Sequence, residues 1–173
     1  MRLCLALALA AGLLAAFSGV PASPRPAAAP VLVELFTSQG CSSCPPADAV
    51  IERLAREPGI VAVSRPVTYW DRLGWKDTFA REVNTGLQKA YASRGGEGSG
   101  VYTPQAVVQG RAAIVGSREA GLRRLIAAER DRLRPAVTVA KLADGARSIK
   151  IGAGTRTEAT VTILALRSSA VVR

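Results

Sequence analysis

Two cysteines set three positions apart are the residues of this sequence best suited to covalent chemistry. Cys41 and Cys44 form a Cys-x-x-Cys pair, a spacing that allows two thiols to close a disulfide and that is typical of dithiol redox sites. The pair follows a strand-like apolar run over residues 31–36 and precedes a helix-like run over residues 47–56. The start of a helix is a usual setting for a reactive thiol.

The residues that follow the pair favour an ionised sulfur. Pro45 and Pro46 lack N–H groups and suit the first turn of a helix, where those donors have no partner within the helix. The remaining backbone N–H groups and the helix dipole stabilise a nearby thiolate. We therefore predict that Cys41, at the open end of the turn, is the attacking thiol and that Cys44 resolves the mixed disulfide.

Two other uses of the pair stay open. A purely structural crosslink is the weaker interpretation, because a disulfide between residues so close in sequence restricts the unfolded chain little. The chain has no histidine, so a tetrahedral zinc site would need carboxylates or a second chain. Two thiolates alone suffice for Cu(I), and a copper carrier remains an alternative. The primary prediction requires no metal and no cofactor.

The first 22 residues have the pattern of a secretory signal. Arg2 precedes an apolar run over residues 3–17, and small residues end at Ala22. The run is shorter than the roughly 20 residues that span a bilayer, so we expect cleavage and no membrane span in the mature chain. Cleavage would remove Cys4 and leave a Pro/Ala-rich leader over residues 23–30. The predicted location is the periplasm or the cell exterior, where cysteine pairs are usually oxidised.

The chain is basic, with 23 Lys and Arg against 13 Asp and Glu. Its densest arginine stretch, residues 118–134, includes acidic residues and an apolar helical face, so these arginines are expected on the solvated face of a helix. No nucleic-acid-binding motif accompanies the charge. We therefore predict no specific nucleic-acid partner.

Strand and helix patterns alternate over residues 31–135, which predicts one α/β domain. The predicted strands cover residues 31–36, 60–67, 105–109 and 112–115, and the predicted helices cover residues 47–56, 79–93 and 118–133. Residues 136–173 predict a partial β-rich segment, with strands over residues 137–141, 148–151 and 157–167. Asp71 and Asp77 are expected to be surface turn residues, one of them capping the helix that follows.

Three longer phrases carry a family resemblance. They are residues 33–48 around the cysteines, residues 69–77 (Tyr-Trp-Asp-Arg-Leu-Gly-Trp-Lys-Asp) and residues 101–105 (Val-Tyr-Thr-Pro-Gln). Over roughly residues 31–134 the chain resembles a family of secreted thioredoxin-like proteins known as domain of unknown function twelve-twenty-three. The resemblance implies a thioredoxin-like fold, a central mixed sheet flanked by helices, with a β-rich C-terminal extension that looks truncated in this chain.

The same resemblance implies which residues surround the cysteines. In thioredoxin-fold proteins the proline before the hairpin is cis and packs against the dithiol, which makes Thr103 and Pro104 the backbone that docks a partner's chain as an extra strand. Tyr69 and Trp70 are the first two residues of the second phrase. They either line a substrate groove or pack in the core or at its rim, and both interpretations stay open.

The chain departs from the family pattern just before that Tyr-Trp pair. Relatives carry a His and an Asp where this sequence has Pro66 and Thr68. If those groups shuttle protons in relatives, exchange in this chain is slower or lost. The resulting prediction is thiol-disulfide exchange on protein or small-molecule thiols. The alternative is a non-catalytic binding module, either the Cu(I) carrier or a redox-inactive domain that holds a partner.

Overall fold

The cysteine pair lies at one end of a four-stranded mixed sheet. The structure, a computed structural model, describes residues 29–96, 98–130, 132, 134–153 and 160–169. Its elements are β1 (Val31–Thr37), α1 (Pro45–Leu54), β2 (Ile60–Pro66), a short 3-10 helix (Asp71–Leu73), α2 (Glu82–Ser93), β3 (Gln105–Val108), β4 (Ala112–Val115), α3 (Glu119–Arg130), β5 (Val137–Lys141) and β6 (Arg147–Ile151). The strand order is β2-β1-β3-β4, with β1 parallel to β2 and antiparallel to β3.

The larger core lies between one face of this sheet and the helices α1 and α3. Val31, Val33 and Leu35 alternate along β1 and are fully buried on that face, as the two-residue repeat of a strand requires. The buried face of α1 consists of Ala47, Val50, Ile51 and Leu54. Their spacing of three and four residues places them on one side of a helix. This packing attaches the helix that follows the cysteines firmly to the central strand.

The opposite face of the sheet is covered in part by α2 and contains a buried charge. Glu34 on β1 is 1% exposed. Its carboxylate accepts hydrogen bonds from Arg65 Nε at 2.9 Å and from the Tyr91 hydroxyl at 2.7 Å. Burial and the neighbouring Glu34 carboxylate raise the pKa of Tyr91. The ion pair and the tyrosine supply the partners that a buried carboxylate needs.

The predicted alternation of strands and helices in residues 31–130 is confirmed, with shifts at the element ends. The second helix begins at Glu82 rather than at residue 79. Asp77 is the reason for the later start, because Phe79 N–H donates to its side chain and Ala80 N–H to its carbonyl. These bonds hold a turn that the helix follows.

The third predicted C-terminal strand is wrong for the part that the structure describes. Residues 160–167 are not in a strand, and residues 157–159 lie outside the described ranges. The other two predicted strands are confirmed as β5 and β6, which pair with each other over five positions. A strand persists only where a neighbour supplies partners for its N–H and C=O groups. An apolar pattern alone does not provide such a neighbour.

The predicted secretory signal, residues 1–22, and most of the leader lie outside the described residues. Within the described part of the chain, no helix has both the length and the apolar character needed to cross a membrane.

Candidate dithiol site

The two cysteines are joined by a disulfide in the turn between β1 and α1. Their Cα atoms are 5.4 Å apart. Cys41 N–H donates to Ser38 O and Cys44 N–H to Cys41 O, each at 3.1 Å, which closes a tight double turn. Cys44 occupies the N-cap position of α1, and Pro45 and Pro46 form the start of its first turn. The pair therefore stands at a helix start, where the spacing predicts it.

Both cysteines are more buried than a sulfur at the open end of a turn would be. Cys41 is 2% exposed and Cys44 is 0% exposed, so the expected openness at Cys41 is wrong for this disulfide state. The residues that close over the turn come from two segments distant in sequence, the loop after β2 and the segment before β3. In this state Cys41 therefore offers little surface to a thiol partner.

A hydroxyl from the segment before β3 contacts the sulfur of Cys41. Thr103 Oγ1 donates a hydrogen bond to Cys41 Sγ at 3.3 Å, and Trp70 Nε1 donates to Thr103 Oγ1 at 2.8 Å. The Thr103-Pro104 peptide bond is cis. The Ser43 hydroxyl lies 3.5 Å from the same sulfur. Four residues of the site expected from sequence, the two cysteines with Thr103 and Trp70, thus lie in one connected cluster.

Backbone N–H groups of the helix start are committed elsewhere. Ala47 and Asp48 donate their N–H groups to Cys44 O at 2.9 and 3.1 Å, and the two prolines have none to offer. Among the described residues, the hydrogen-bonding partners of Cys41 Sγ are the hydroxyls of Thr103 and Ser43. Side-chain hydroxyls therefore replace the backbone donors that the helix start alone would favour.

Tyr69 packs beneath this cluster. Its ring and that of Trp70 lie against the buried Phe36, Val67 and Val107, so both aromatics are packing residues, and Trp70 also bonds Thr103. The Tyr69 hydroxyl is buried, and within the described residues it has no well-aligned hydrogen bond. Burial raises the pKa of Tyr69, against smaller lowering effects from nearby Gln88 and Thr103.

Gln88 on α2 supports the segment that carries Thr103. It is 0% exposed, and its Nε2 donates to Tyr102 O at 2.7 Å and to Gln105 Oε1 at 2.9 Å. These bonds hold the residues on both sides of the Thr103-Pro104 pair. A polar residue in the middle of α2 has no signal in the sequence that links it to the cysteines.

The loop after β2 is attached to the cysteine turn by a buried carboxylate. Asp77 is 3% exposed and accepts hydrogen bonds from Gln39 N–H at 2.9 Å and Phe79 N–H at 2.8 Å. The expectation that Asp77 is a surface turn residue is therefore wrong, because its carboxylate bridges two loops. Asp71 supports it by accepting the N–H of Asp77 at 3.1 Å.

Trp75 joins the same two loops at the surface. Its Nε1 donates to Gln39 Oε1 at 3.3 Å, while the residue remains 58% exposed. Leu73, in the loop after β2, is 61% exposed, and Val101, in the segment before β3, is 46% exposed. We call Leu73, Trp75 and Val101 the apolar rim, since they are the exposed large apolar residues of the two segments that carry Trp70, Asp77 and Thr103. Exposed apolar side chains that form a patch are typical of a surface that meets another molecule.

Pro66 and Thr68, where the sequence departs from the expected family pattern, make structural contacts. The Pro66 carbonyl accepts from Arg81 N–H at 3.2 Å and from Asn84 Nδ2 at 2.9 Å. The Thr68 hydroxyl pairs with Thr85 Oγ1 at 2.9 Å. Both positions attach the loop after β2 to the start of α2.

Asp48 is a titratable group on the first turn of α1. It is exposed as a residue, yet its Oδ1 accepts the Thr37 hydroxyl at 2.9 Å. Partial burial raises the pKa of Asp48; the Thr37 bond acts in the lowering direction, and the Asp77 charge adds to the rise. A carboxylate in the first turn also complements the helix dipole. Among the described residues, no group of three or more His, Cys, Asp or Glu side chains is arranged to hold a metal ion.

Comparison with protein families identifies the chain. A family model described as protein of unknown function, DUF1223, matches residues 32–173. The chain belongs to this family. It is the same family that the three sequence phrases resemble. The description of DUF1223 gives no activity, so the reaction must be argued from the geometry of the site.

Two relatives of this DUF1223 protein carry further information. A stretch of 37 residues is 43% identical to a protein of Archaeoglobus fulgidus named probable thioredoxin, covering 21% of this chain and 41% of that protein. A crystal structure of a protein from Agrobacterium tumefaciens is 40% identical, with a TM-score of 0.64, and the match covers 73% of this chain and 58% of that one. The matches thus span about half the length of each relative. The Cys41–Cys44 pair and the similarity to a protein named probable thioredoxin are compatible with thiol-disulfide chemistry.

Proposed function

We propose that this protein is an exported, thioredoxin-like thiol-disulfide exchange protein. The observation that carries the proposal is the hydroxyl of Thr103 bonded to the sulfur of Cys41 at 3.3 Å, in a disulfide at a helix start. The similarity to a protein named probable thioredoxin supports a thioredoxin-like arrangement. A purely structural crosslink needs neither the hydroxyl nor the apolar rim.

In the proposed reaction two electrons pass between the protein and a substrate. The Cys41 thiolate attacks one sulfur of a substrate disulfide, forming a Cys41–substrate bond as the substrate S–S bond breaks, and the departing thiolate takes a proton from water. Cys44 loses its proton to solvent and attacks Cys41 Sγ. The Cys41–Cys44 bond then forms and the second substrate thiolate leaves. The substrate is reduced and the protein oxidised; the reverse sequence oxidises a substrate dithiol.

Thr103 and Trp70 have a defined role in this reaction. When Cys41 is reduced, the Thr103 hydroxyl donates to a negatively charged sulfur, and a hydrogen bond to a charged group contributes about 1.5–3 kcal/mol. The Trp70 indole N–H fills an acceptor position of the Thr103 oxygen. This bond keeps the hydroxyl proton from pointing toward Trp70 and leaves it free to point toward Cys41. The pair supplies thiolate stabilisation without a histidine.

We propose a polypeptide as the substrate. The apolar rim of Leu73, Trp75 and Val101 offers exposed contact area larger than a small thiol needs. The segment at Thr103-Pro104 lies beside Cys41 and would pair with an extended chain through its backbone. Because Cys41 is nearly inaccessible in the disulfide form, such a chain must displace part of the covering loops when it binds.

The deciding experiment compares cysteine variants in exchange with glutathione disulfide and in insulin reduction. Cys41→Ser should abolish both activities, and Cys44→Ser should stop at a trapped mixed disulfide. Ser42→Ala, in the same turn and exposed, is the matched control and should retain both. Equal activity of Cys41→Ser and the unaltered protein would refute the exchange function.

The reduction potential provides an independent test. Equilibration in glutathione buffers should give a value between about −120 and −270 mV, the range of known exchange proteins. A value below about −300 mV belongs to disulfides that resist the glutathione pool, and would identify a structural crosslink. Export is tested separately, since expression of the whole chain in a bacterium should yield a periplasmic product that lacks about 22 residues.

A further inference from the structure

A cleft rich in arginine lies at the end of the sheet opposite the disulfide. It encloses about 440 Å³ and is lined by Gln109, Arg111, Glu129, Arg132 and Arg134. Gln109 N–H donates to Leu32 O at 2.9 Å, near the start of β1, whereas Cys41 follows the end of that strand. Seven strand residues extend roughly 20 Å at about 3.3 Å each. The cleft is therefore separate from the dithiol site.

The positive charge in the cleft exceeds the negative charge. Glu129 is the one acidic residue among the described residues of the lining, and it is 6% exposed. Arg132 Nε lies 3.0 Å and Arg111 Nε 3.8 Å from the same carboxylate oxygen. Arg134 donates instead to the Glu129 backbone carbonyl at 2.8 Å. The described lining residues thus carry three permanently charged guanidinium groups and one carboxylate, an excess of two positive charges.

Hydrogen-bond donors on three side chains of the cleft remain available to a ligand. Gln109 Oε1 accepts Leu32 N–H at 3.0 Å, which leaves the amide's N–H₂ group as its free donor. The side chains of Arg111 and Arg132 are 59% and 55% exposed. The 3.8 Å ion pair of Arg111 with Glu129 is long and the Arg111 side chain is largely exposed, so this guanidinium is available to a ligand.

We propose that this cleft binds a phosphate group. The excess of two charges matches a phosphate dianion, and the planar fork of a guanidinium bonds two phosphate oxygens at once. The exposed guanidinium groups of Arg111 and Arg132 and the amide N–H₂ of Gln109 are the donors that such a ligand would meet. Inorganic phosphate, a phosphate ester and a lipid headgroup share this chemistry. The helix α3 ends at Arg130, and its dipole opposes an anion there, so the three arginines must supply the attraction.

Calorimetric titration with sodium phosphate at pH 8 and constant ionic strength tests the site on the whole protein. We expect saturable binding of one phosphate, with sodium chloride as the reference anion. Arg111→Gln and Arg132→Gln should each weaken binding by about tenfold, the effect of losing one charge-assisted bond. Arg124→Gln removes the same charge from an exposed position of α3 outside the cleft and should leave binding unchanged. Arg134 is avoided because it also bonds Pro30 O and Glu129 O.

Vesicle sedimentation distinguishes the source of the phosphate. If phosphatidic acid vesicles retain the protein and Arg111→Gln releases it while Arg124→Gln does not, the ligand is a lipid headgroup. If Arg111→Gln weakens binding of soluble phosphate more than Arg124→Gln does, but the vesicles show no such difference, the ligand is a free phosphate compound. The proposal is overturned if neither form binds, or if Arg124→Gln weakens binding as much as Arg111→Gln does, since the attraction is then the general charge of the chain. Neither result depends on the cysteines or on exchange activity.

Discussion

Thr103 Oγ1 donates a hydrogen bond to Cys41 Sγ across 62 positions of sequence. The bond links the segment before β3 to the turn after β1, and Trp70 bonds the same hydroxyl from a third segment. We expect this contact to persist in the reduced protein, where the hydroxyl would stabilise the Cys41 thiolate from a neighbour that the cysteine spacing does not reveal.

Replacing Thr103 by valine should therefore raise the pKa of Cys41. Valine has nearly the same shape but no hydroxyl, and loss of a bond worth about 1.5–3 kcal/mol corresponds to about 1–2 pKa units. The thiolate absorbance near 240 nm, followed against pH in reduced protein, measures the change. Thr103→Ser keeps the hydroxyl and is the control. An unchanged pKa in the valine variant would mean that the bond does not stabilise the thiolate.

Replacing Asp77 by alanine should loosen the cover over the disulfide. The carboxylate holds Gln39 N–H and Phe79 N–H, and each buried donor left unpaired costs about 1–3 kcal/mol. We expect a lower free energy of unfolding and faster reduction of the disulfide by dithiothreitol.

The matched control for that variant is Asp144→Ala. Asp144 also accepts a backbone N–H two residues on, from Ala146 at 2.9 Å, but in the exposed turn between β5 and β6. Its loss should change neither quantity much, because solvent replaces the lost partner. If both alanine variants reduce at the same rate, the loop held by Asp77 does not control access to Cys41.

The charge of Asp48 should make the protein less stable as the pH rises. Partial burial raises the pKa of Asp48 above its ordinary 3.8, so the folded chain holds this proton more tightly than the unfolded chain. The contribution is favourable below the ordinary pKa and is lost as the pH rises through the folded value. Asp48→Asn removes this penalty and keeps an oxygen for the Thr37 hydroxyl. Urea unfolding between about pH 3 and pH 7 should show the variant gaining stability relative to the unaltered protein.

Asp144→Asn, in the exposed β5–β6 turn, is the control for the charge change alone and should show no such gain. A difference between Asp48→Asn and the unaltered protein that stays constant with pH would contradict the linkage.

Gly116 and Gly86 should respond in opposite directions to alanine. A Cβ at Gly116 would lie 2.6 Å from Leu35 Cδ1 and 3.0 Å from Ala47 Cβ, and overpacking of this kind costs about 1–3 kcal/mol. Gly86 lies within α2 with no atom within 4 Å of an added Cβ, so alanine there should stabilise by about 0.5–1 kcal/mol. Thermal unfolding of both variants measures the contrast. Equal shifts would show that the packing at Gly116 accommodates a methyl group.

The sequence by itself determined the local elements and the position of the cysteine pair. Strands and helices follow from the spacing of apolar residues, which reports which side of each element is buried. The pair lies at a helix start for the same local reason, since Pro45 and Pro46 suit a first turn. The long phrases around these residues indicated the family.

The tertiary structure alone decided what surrounds the sulfur. Asp77 lies 38 positions from Gln39, and only the packing of two loops reveals that its carboxylate is buried instead of exposed at a turn. The burial of Cys41 and the approach of Arg111 to Glu129 arise in the same way. The sequence pattern over residues 157–167 predicted a strand, but in the described residues 160–167 none forms. Local periodicity records which residues avoid water, whereas hydrogen-bond partners are chosen by elements distant in the chain, and those partners exist only once the chain has folded.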